Sequence, residues 1–100
     1  LKSVFQDEKV CFITGSTEGL EEHHILFGHG RRDLSEEYGY KVWLRYELHN
    51  DKRCSVHKNP KFDLELKQMA QLHFEKHHGT RDEFTKIFGM NYFEKKESKL

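Results

Sequence analysis

The chain has 100 residues, enough for one small domain. Seventeen Lys and Arg balance seventeen Asp and Glu, so the formal net charge is zero. That excludes retention on DNA by overall charge alone, while leaving room for a local basic patch. Hydrophobic residues make up 35% and charged residues 34%, so the core is thin, and eight Phe, four Tyr and one Trp must carry much of it. No stretch is apolar enough to cross a bilayer and no leader pattern opens the chain, so a cytoplasmic protein without a membrane partner is expected. Cys11 and Cys54 are the only cysteines. They permit one disulfide at most and form no secreted framework. The first residue is Leu, which leaves open that the numbering starts inside a longer protein.

Val10 to Ile13 (VCFI) is β-branched and aromatic and predicts a short strand, followed by a turn cluster at Gly15 to Gly19. Leu20 to Ile25 (LEEHHI) predicts a second strand. Phe27 to Arg32 reads as a loop, with His29 between two glycines. Leu34 to Tyr38 predicts one helical turn stopped by Gly39. Tyr40 to Tyr46 alternates, with Tyr40, Val42, Leu44 and Tyr46 on one face, and predicts a third strand.

His49 to Pro60 is polar and turn-rich. A long helix is expected from Pro60 to about His78, capped by Asn59, with Phe62, Leu66, Met69, Ala70, His73 and His77 on one face. Gly79 ends it. Thr80-Arg-Asp-Glu83 is a capping box that starts a shorter helix with Phe84, Ile87 and Phe88 inward. Residues 1–93 form the single expected domain, and 94–100 (EKKESKL) a charged tail. His73, His77 and His78 read as an ordinary helix end with favourable dipole placement.

The remaining histidines fall in a telling order. His23 and His24 close one strand, His49 and Asn50 follow the next, and His57 precedes the long helix. With Cys11-Phe-Ile-Thr-Gly15, Leu20-Glu-Glu-His-His24, Leu34-Ser-Glu-Glu-Tyr-Gly39, Val42-Trp-Leu44, Leu48-His-Asn50 and Val56-His-Lys-Asn59, the chain resembles the HNH nucleases over about residues 10 to 92, and more narrowly a small bacteriophage type. The resemblance implies an α+β fold: a small ββα-metal core, here with two helices at its C-terminal side. It implies a metal-dependent DNA endonuclease or nickase acting in phage or bacterial DNA processing, inside a bacterial host cell.

Phosphodiester hydrolysis needs an activated water and a cation to balance charge as the bond breaks. A neutral imidazole, with an ordinary pKa of about 6.5, supplies the base. The resemblance assigns that role to His24, with Asn50 orienting a loop or the base through its amide. It assigns metal binding to His23 and His57, with His49 as a further ligand or neighbour. Mg²⁺ or Mn²⁺ is the expected ion, while His-rich sites also suit Zn²⁺ or Ni²⁺. Neighbours on a regular strand point to opposite faces. A strand end or bulge is therefore needed to bring both His23 and His24 to one site; on a regular strand only one serves, and His24 is retained.

Many members of that family bind a structural zinc through four Cys or His ligands. Here Thr14 stands where the second thiolate belongs, and Arg45 and Leu48 where the later pair belongs. One ligand of four remains, so no structural zinc is expected. Packing by Phe12, Trp43, Tyr46 and Leu48 is expected to replace it.

Arg31, Arg32, Lys41, Arg45, Lys52, Arg53 and Lys58 surround the histidines in sequence. In the nuclease reading they neutralise phosphates with little base readout, and the helix from Pro60 lies along the DNA. The alternative is a catalytically inactive HNH-like module that binds DNA or inhibits a phage or host protein partner, through an exposed aromatic patch including Tyr92 and Phe93.

Overall fold

The computed structural model describes residues 2–28, 30–50 and 59–93, and for His49 and Asn50 the backbone alone. Its described elements are β1 (Leu20–His24), α1 (Arg31–Tyr38), β2 (Lys41–Arg45), α2 (Tyr46–Asn50), α3 (Pro60–His77) and α4 (Arg81–Phe88). The protein is thus α+β, with one two-stranded antiparallel sheet and four helices among the described residues. Among those residues no helix is long and apolar enough to cross a membrane.

β1 and β2 pair without interruption, Leu20 opposite Arg45 through His24 opposite Lys41. The ladder extends one bond further, with the Ile25 amide donating to the Tyr40 carbonyl at 2.9 Å. Period-two alternation therefore puts His23 beside Val42 and His24 beside Lys41, on opposite faces. The His23 face is the core face: Ile25, Tyr40, Val42 and Leu44 are buried there.

Helix α1 begins three residues before the expected turn and ends where predicted. Gly39 takes the left-handed conformation (φ 75°), and the following Tyr40 amide donates back to the Ser35 carbonyl at 2.8 Å. A side chain at Gly39 would also meet the Lys2 carbonyl at 2.6 Å, so two constraints demand glycine here.

Helix α3 starts as the sequence predicts. Asn59 accepts from the Phe62 amide at 3.1 Å, and Pro60 occupies the first turn. It buries Leu66, Ala70 and Phe74, spaced at i, i+4 and i+8. Gln71 is also buried. Its amide donates to Glu75 and Asn91, both at 2.9 Å, and its oxygen accepts from the Tyr92 amide at 2.8 Å. These bonds fasten the segment after α4 to α3. The Thr80–Glu83 capping box opens α4 as expected. Phe84 and Phe88 stack at 4.5 Å and pack with Phe74, Tyr38 and Tyr40.

Four expectations fail. Val10 to Ile13 is a turn and not a strand: the Gly15 amide returns to the Cys11 carbonyl at 2.8 Å, and Ile13 is exposed. The third strand stops at Arg45 and Tyr46 opens α2, although the Tyr46 amide still bonds across to the Gly19 carbonyl at 2.8 Å; its ring is exposed and does not pack. Ile87 is exposed and not inward. Tyr92 and Phe93 are half-buried, Tyr92 against the core and Phe93 beneath the Arg81 guanidinium at 5.0 Å, so they form no open aromatic patch.

Candidate active site

The sheet face opposite the core gathers the residues with chemistry to offer. Glu22, His24 and Lys41 share that face by strand register, and Glu36 reaches it from α1. His24 Nε2 lies 2.8 Å from Glu36 Oε1. The Arg32 Nε–H points at His24 Nδ1 from 3.4 Å. That donor assigns the tautomer: Nδ1 carries the lone pair, and the Nε2–H donates to Glu36. Arg32 is exposed.

Lys41 lies at the centre of the cluster. Its ammonium donates to both Glu36 oxygens, at 3.0 and 2.9 Å, and pairs with Glu22 at 3.1 Å. The Lys41 and His24 side chains are only 6% and 9% exposed, while Glu22 and Glu36 keep 34% and 42%. The carboxylates thus face water and the two nitrogen groups sit beneath them. The hydrogen bond from His24 and the ammonium of Lys41 hold the Glu36 carboxyl well below the usual carboxylate range. Burial pulls Lys41 down, but its hydrogen bonds to Glu36 and Glu22 outweigh that and raise it above its ordinary value.

Glu22, His24 and Glu36 place three ligand-type atoms within 4.8 Å of one another. They do not suit a divalent ion as they stand, because the Lys41 ammonium already sits between both carboxylates and offsets one of their two charges. An entering cation would have to expel a buried ammonium. The cluster is better described as an imidazole locked between a carboxylate and an arginine.

The other sequence candidates divide as follows. His23 is 1% exposed on the core face, its ring 6.0 Å from Phe27, so the strand does not bring the two adjacent imidazoles to a common face. No bulge intervenes. His49 and Asn50 lie in α2, their side chains outside the description; His57, Lys52, Arg53 and Lys58 lie outside the described residues.

Two residues proposed for phosphate contact have internal duties instead. Lys41 is buried between Glu22 and Glu36. Arg45 pairs with Glu47 at 3.1 Å and donates to Ser16 Oγ and the Glu18 carbonyl, both at 3.1 Å. Arg31 and Arg32 stand at the start of α1. The sequence reading missed Glu22 and Glu36. Glu22 was legible, two residues before His24 on a strand; Glu36 is twelve residues away, and only the return of α1 onto β1 brings it close.

At the expected zinc position, Cys11 is a buried free thiol whose sulfur accepts from the Thr14 and Arg45 amides at 3.4 and 3.5 Å. Burial raises the thiol, but the Thr14 and Arg45 hydrogen bonds outweigh it and leave the net shift downward. Comparison with family models, curated proteins and solved structures finds no match to this chain.

Proposed function

We propose that the chain is an HNH-type, metal-dependent DNA endonuclease or nickase built on a ββα-metal core, with His24 as the base that activates water. The observation that carries this reading is the oriented His24 ring. Glu36 accepts its Nε2–H, and its Nδ1 lone pair lies toward the exposed Arg32. A water beside Nδ1 gives up its proton there as its oxygen attacks phosphorus, and the bond from phosphorus to the leaving oxygen breaks. The Glu36 carboxylate then stabilises the imidazolium that forms. Arg32 swings from Nδ1 onto a phosphate oxygen, and Arg31 adds a second cation from the same turn.

A divalent ion, held by His23 and His57 with His49 beside them, supplies charge balance on the phosphorane-like state when bound. That donor set of imidazoles ranks Zn²⁺ and Ni²⁺ above Mn²⁺, and Mn²⁺ above Mg²⁺, in affinity. The reading requires the end of β1 to open when DNA binds, because His23 is buried on the core face and His24 lies on the opposite one. Lys52, Arg53 and Lys58 extend the phosphate contacts, and Asn50 orients the loop that follows α2.

One observation favours a second reading, a catalytically inactive HNH-like module that binds DNA or inhibits a phage or host protein. The β1 register is regular, so His23 and His24 diverge, and His24 is engaged on both ring nitrogens. Supercoiled plasmid cleavage separates the two, using parent chain and His24→Ala with Mg²⁺, Mn²⁺, Ni²⁺ or EDTA. The nuclease reading expects metal-dependent nicking that disappears in the variant while its fold and DNA binding remain. Parent-rate cleavage by His24→Ala removes His24 as the base. No cleavage in any metal leaves the binding module.

A further inference from the structure

The C-terminal end of α3 carries His73 and His77 one helical turn apart, their ring centroids 4.4 Å from each other at 36°. Residues four apart project from one face of a helix, the spacing that lets two imidazoles share one cation. The His73 ring is held in place. Its Nδ1 lies 3.1 Å from the Tyr40 hydroxyl, and the Tyr40 and Phe5 rings meet it edge-on at 5.5 and 5.7 Å. Tyr40 is completely buried, so this support does not move with solvent.

With Nδ1 committed to Tyr40, Nε2 is the nitrogen left to bind. The hydroxyl plays the part that a fixed hydrogen-bond partner plays behind most metal-bound histidines, setting tautomer and ring orientation. His77 is exposed and free to rotate toward it. The His78 ring also lies 5.7 Å from that of His73, but it packs edge-on against Tyr38 at 5.2 Å and beside Phe74 at 5.5 Å.

We propose that His73 and His77 form a two-imidazole site for a borderline transition cation of the Zn²⁺, Ni²⁺ or Cu²⁺ class, with water completing the coordination. Nitrogen donors select these ions over Mg²⁺ and Ca²⁺, which prefer oxygen. Binding fixes the Nδ1–H as donor to the Tyr40 oxygen and clamps the end of α3 to the residue that leads into β2. The site is independent of His24 and stands whether or not the chain cleaves DNA.

The test is NMR of the histidine ring nitrogens in the full chain, titrated with Zn²⁺ in excess Mg²⁺, for the parent, His77→Ala, His57→Ala and Tyr40→Phe. The expected result is a coordination shift at Nε2 of His73 and His77 that persists in His57→Ala. Zn²⁺ affinity at His73 should fall by at least about tenfold in His77→Ala, and by about tenfold in Tyr40→Phe, whose hydrogen-bond support is gone. His77 is exposed, so its removal does not threaten the fold. No Zn²⁺-dependent shift at His73 and His77, or unchanged affinity in His77→Ala, overturns the proposal.

Discussion

Ser35 is a single hydroxyl on which a whole loop depends. It accepts from the Leu26 amide and donates to the Leu26 carbonyl, both at 2.8 Å, and is completely buried. Replacing it with alanine strands both backbone groups away from water. Ser35→Ala should cost about 1–3 kcal/mol, measured as a lower urea midpoint at unchanged slope. A domain this size has little stability to spare. On the proposed nuclease reading Glu36, the next residue, gives a catalytic counterpart. There Glu36→Gln keeps the shape but weakens stabilisation of the imidazolium, so nicking should slow by about tenfold or more with DNA binding retained. An unchanged rate would remove Glu36 from the mechanism. Neither role was visible in LSEEYG as a string. A serine and a glutamate on a helix are ordinary surface residues until the helix folds back on a strand, and that return is set by Gly39 and the core.

At the scale of elements, local signals held where the chemistry was local. Asn59-Pro60, the Thr80–Glu83 box and Gly39 all mark real helix boundaries, because each satisfies backbone groups within its own turn. Thr80→Ala should cost about 1 kcal/mol, again by chemical denaturation. VCFI misled, because strand propensity says nothing about which neighbour is present to pair. Phe12 donates one bond to the Trp43 carbonyl and the chain then turns away.

The end of α3 should also make stability depend on pH. His73 is held below its ordinary value of 6.5 by burial and by His77, His78 and Lys76. The unfolded chain therefore takes up that proton more readily, and stability should rise with pH up to about 6.5 and fall on acidification below it. Glu36, also lowered, adds a second loss at more acid pH. The urea midpoint against pH should flatten just below about pH 6.5 in His73→Leu; an identical slope would place the proton elsewhere.

For the whole molecule, the instructive comparison is with the zinc crosslink that the HNH resemblance implies. There four ligands would join residues 11, 14, 45 and 48. Here Cys11 lies in a turn with its sulfur accepting two amides, and the Arg45 guanidinium reaches across to Ser16, Glu18 and Glu47. Phe12 and Leu48 pack on the core beside it, while Trp43 is half-buried under Lys9. The departures from that ligand pattern were plain in the sequence; the arginine strap was not, since Ser16 and Glu18 lie 29 and 27 residues from Arg45. If the backbone there still has the geometry of a zinc turn, a chain carrying Thr14→Cys, Arg45→Cys and Leu48→Cys should bind Co²⁺ with thiolate charge-transfer absorption and melt higher with Zn²⁺. Absence of that band would mean the turn has drifted as well as the ligands.

The outer edge of β2 has a consequence of a different kind. A two-stranded ribbon ordinarily leaves rows of open amides and carbonyls, an invitation for copies of the chain to line up edge to edge. Here the Trp43 amide donates to the Gln6 side-chain oxygen at 2.8 Å, and Gln6 is itself braced by donating to the Val10 carbonyl at 2.7 Å. Together with the Phe12 amide on the Trp43 carbonyl and the Cys11 sulfur on the Arg45 amide, this side chain takes the place that a third strand would fill. Gln6 is in that sense a guard against fibrils, and a Gln6→Val chain should scatter light and gain thioflavin fluorescence at concentrations where the parent stays clear.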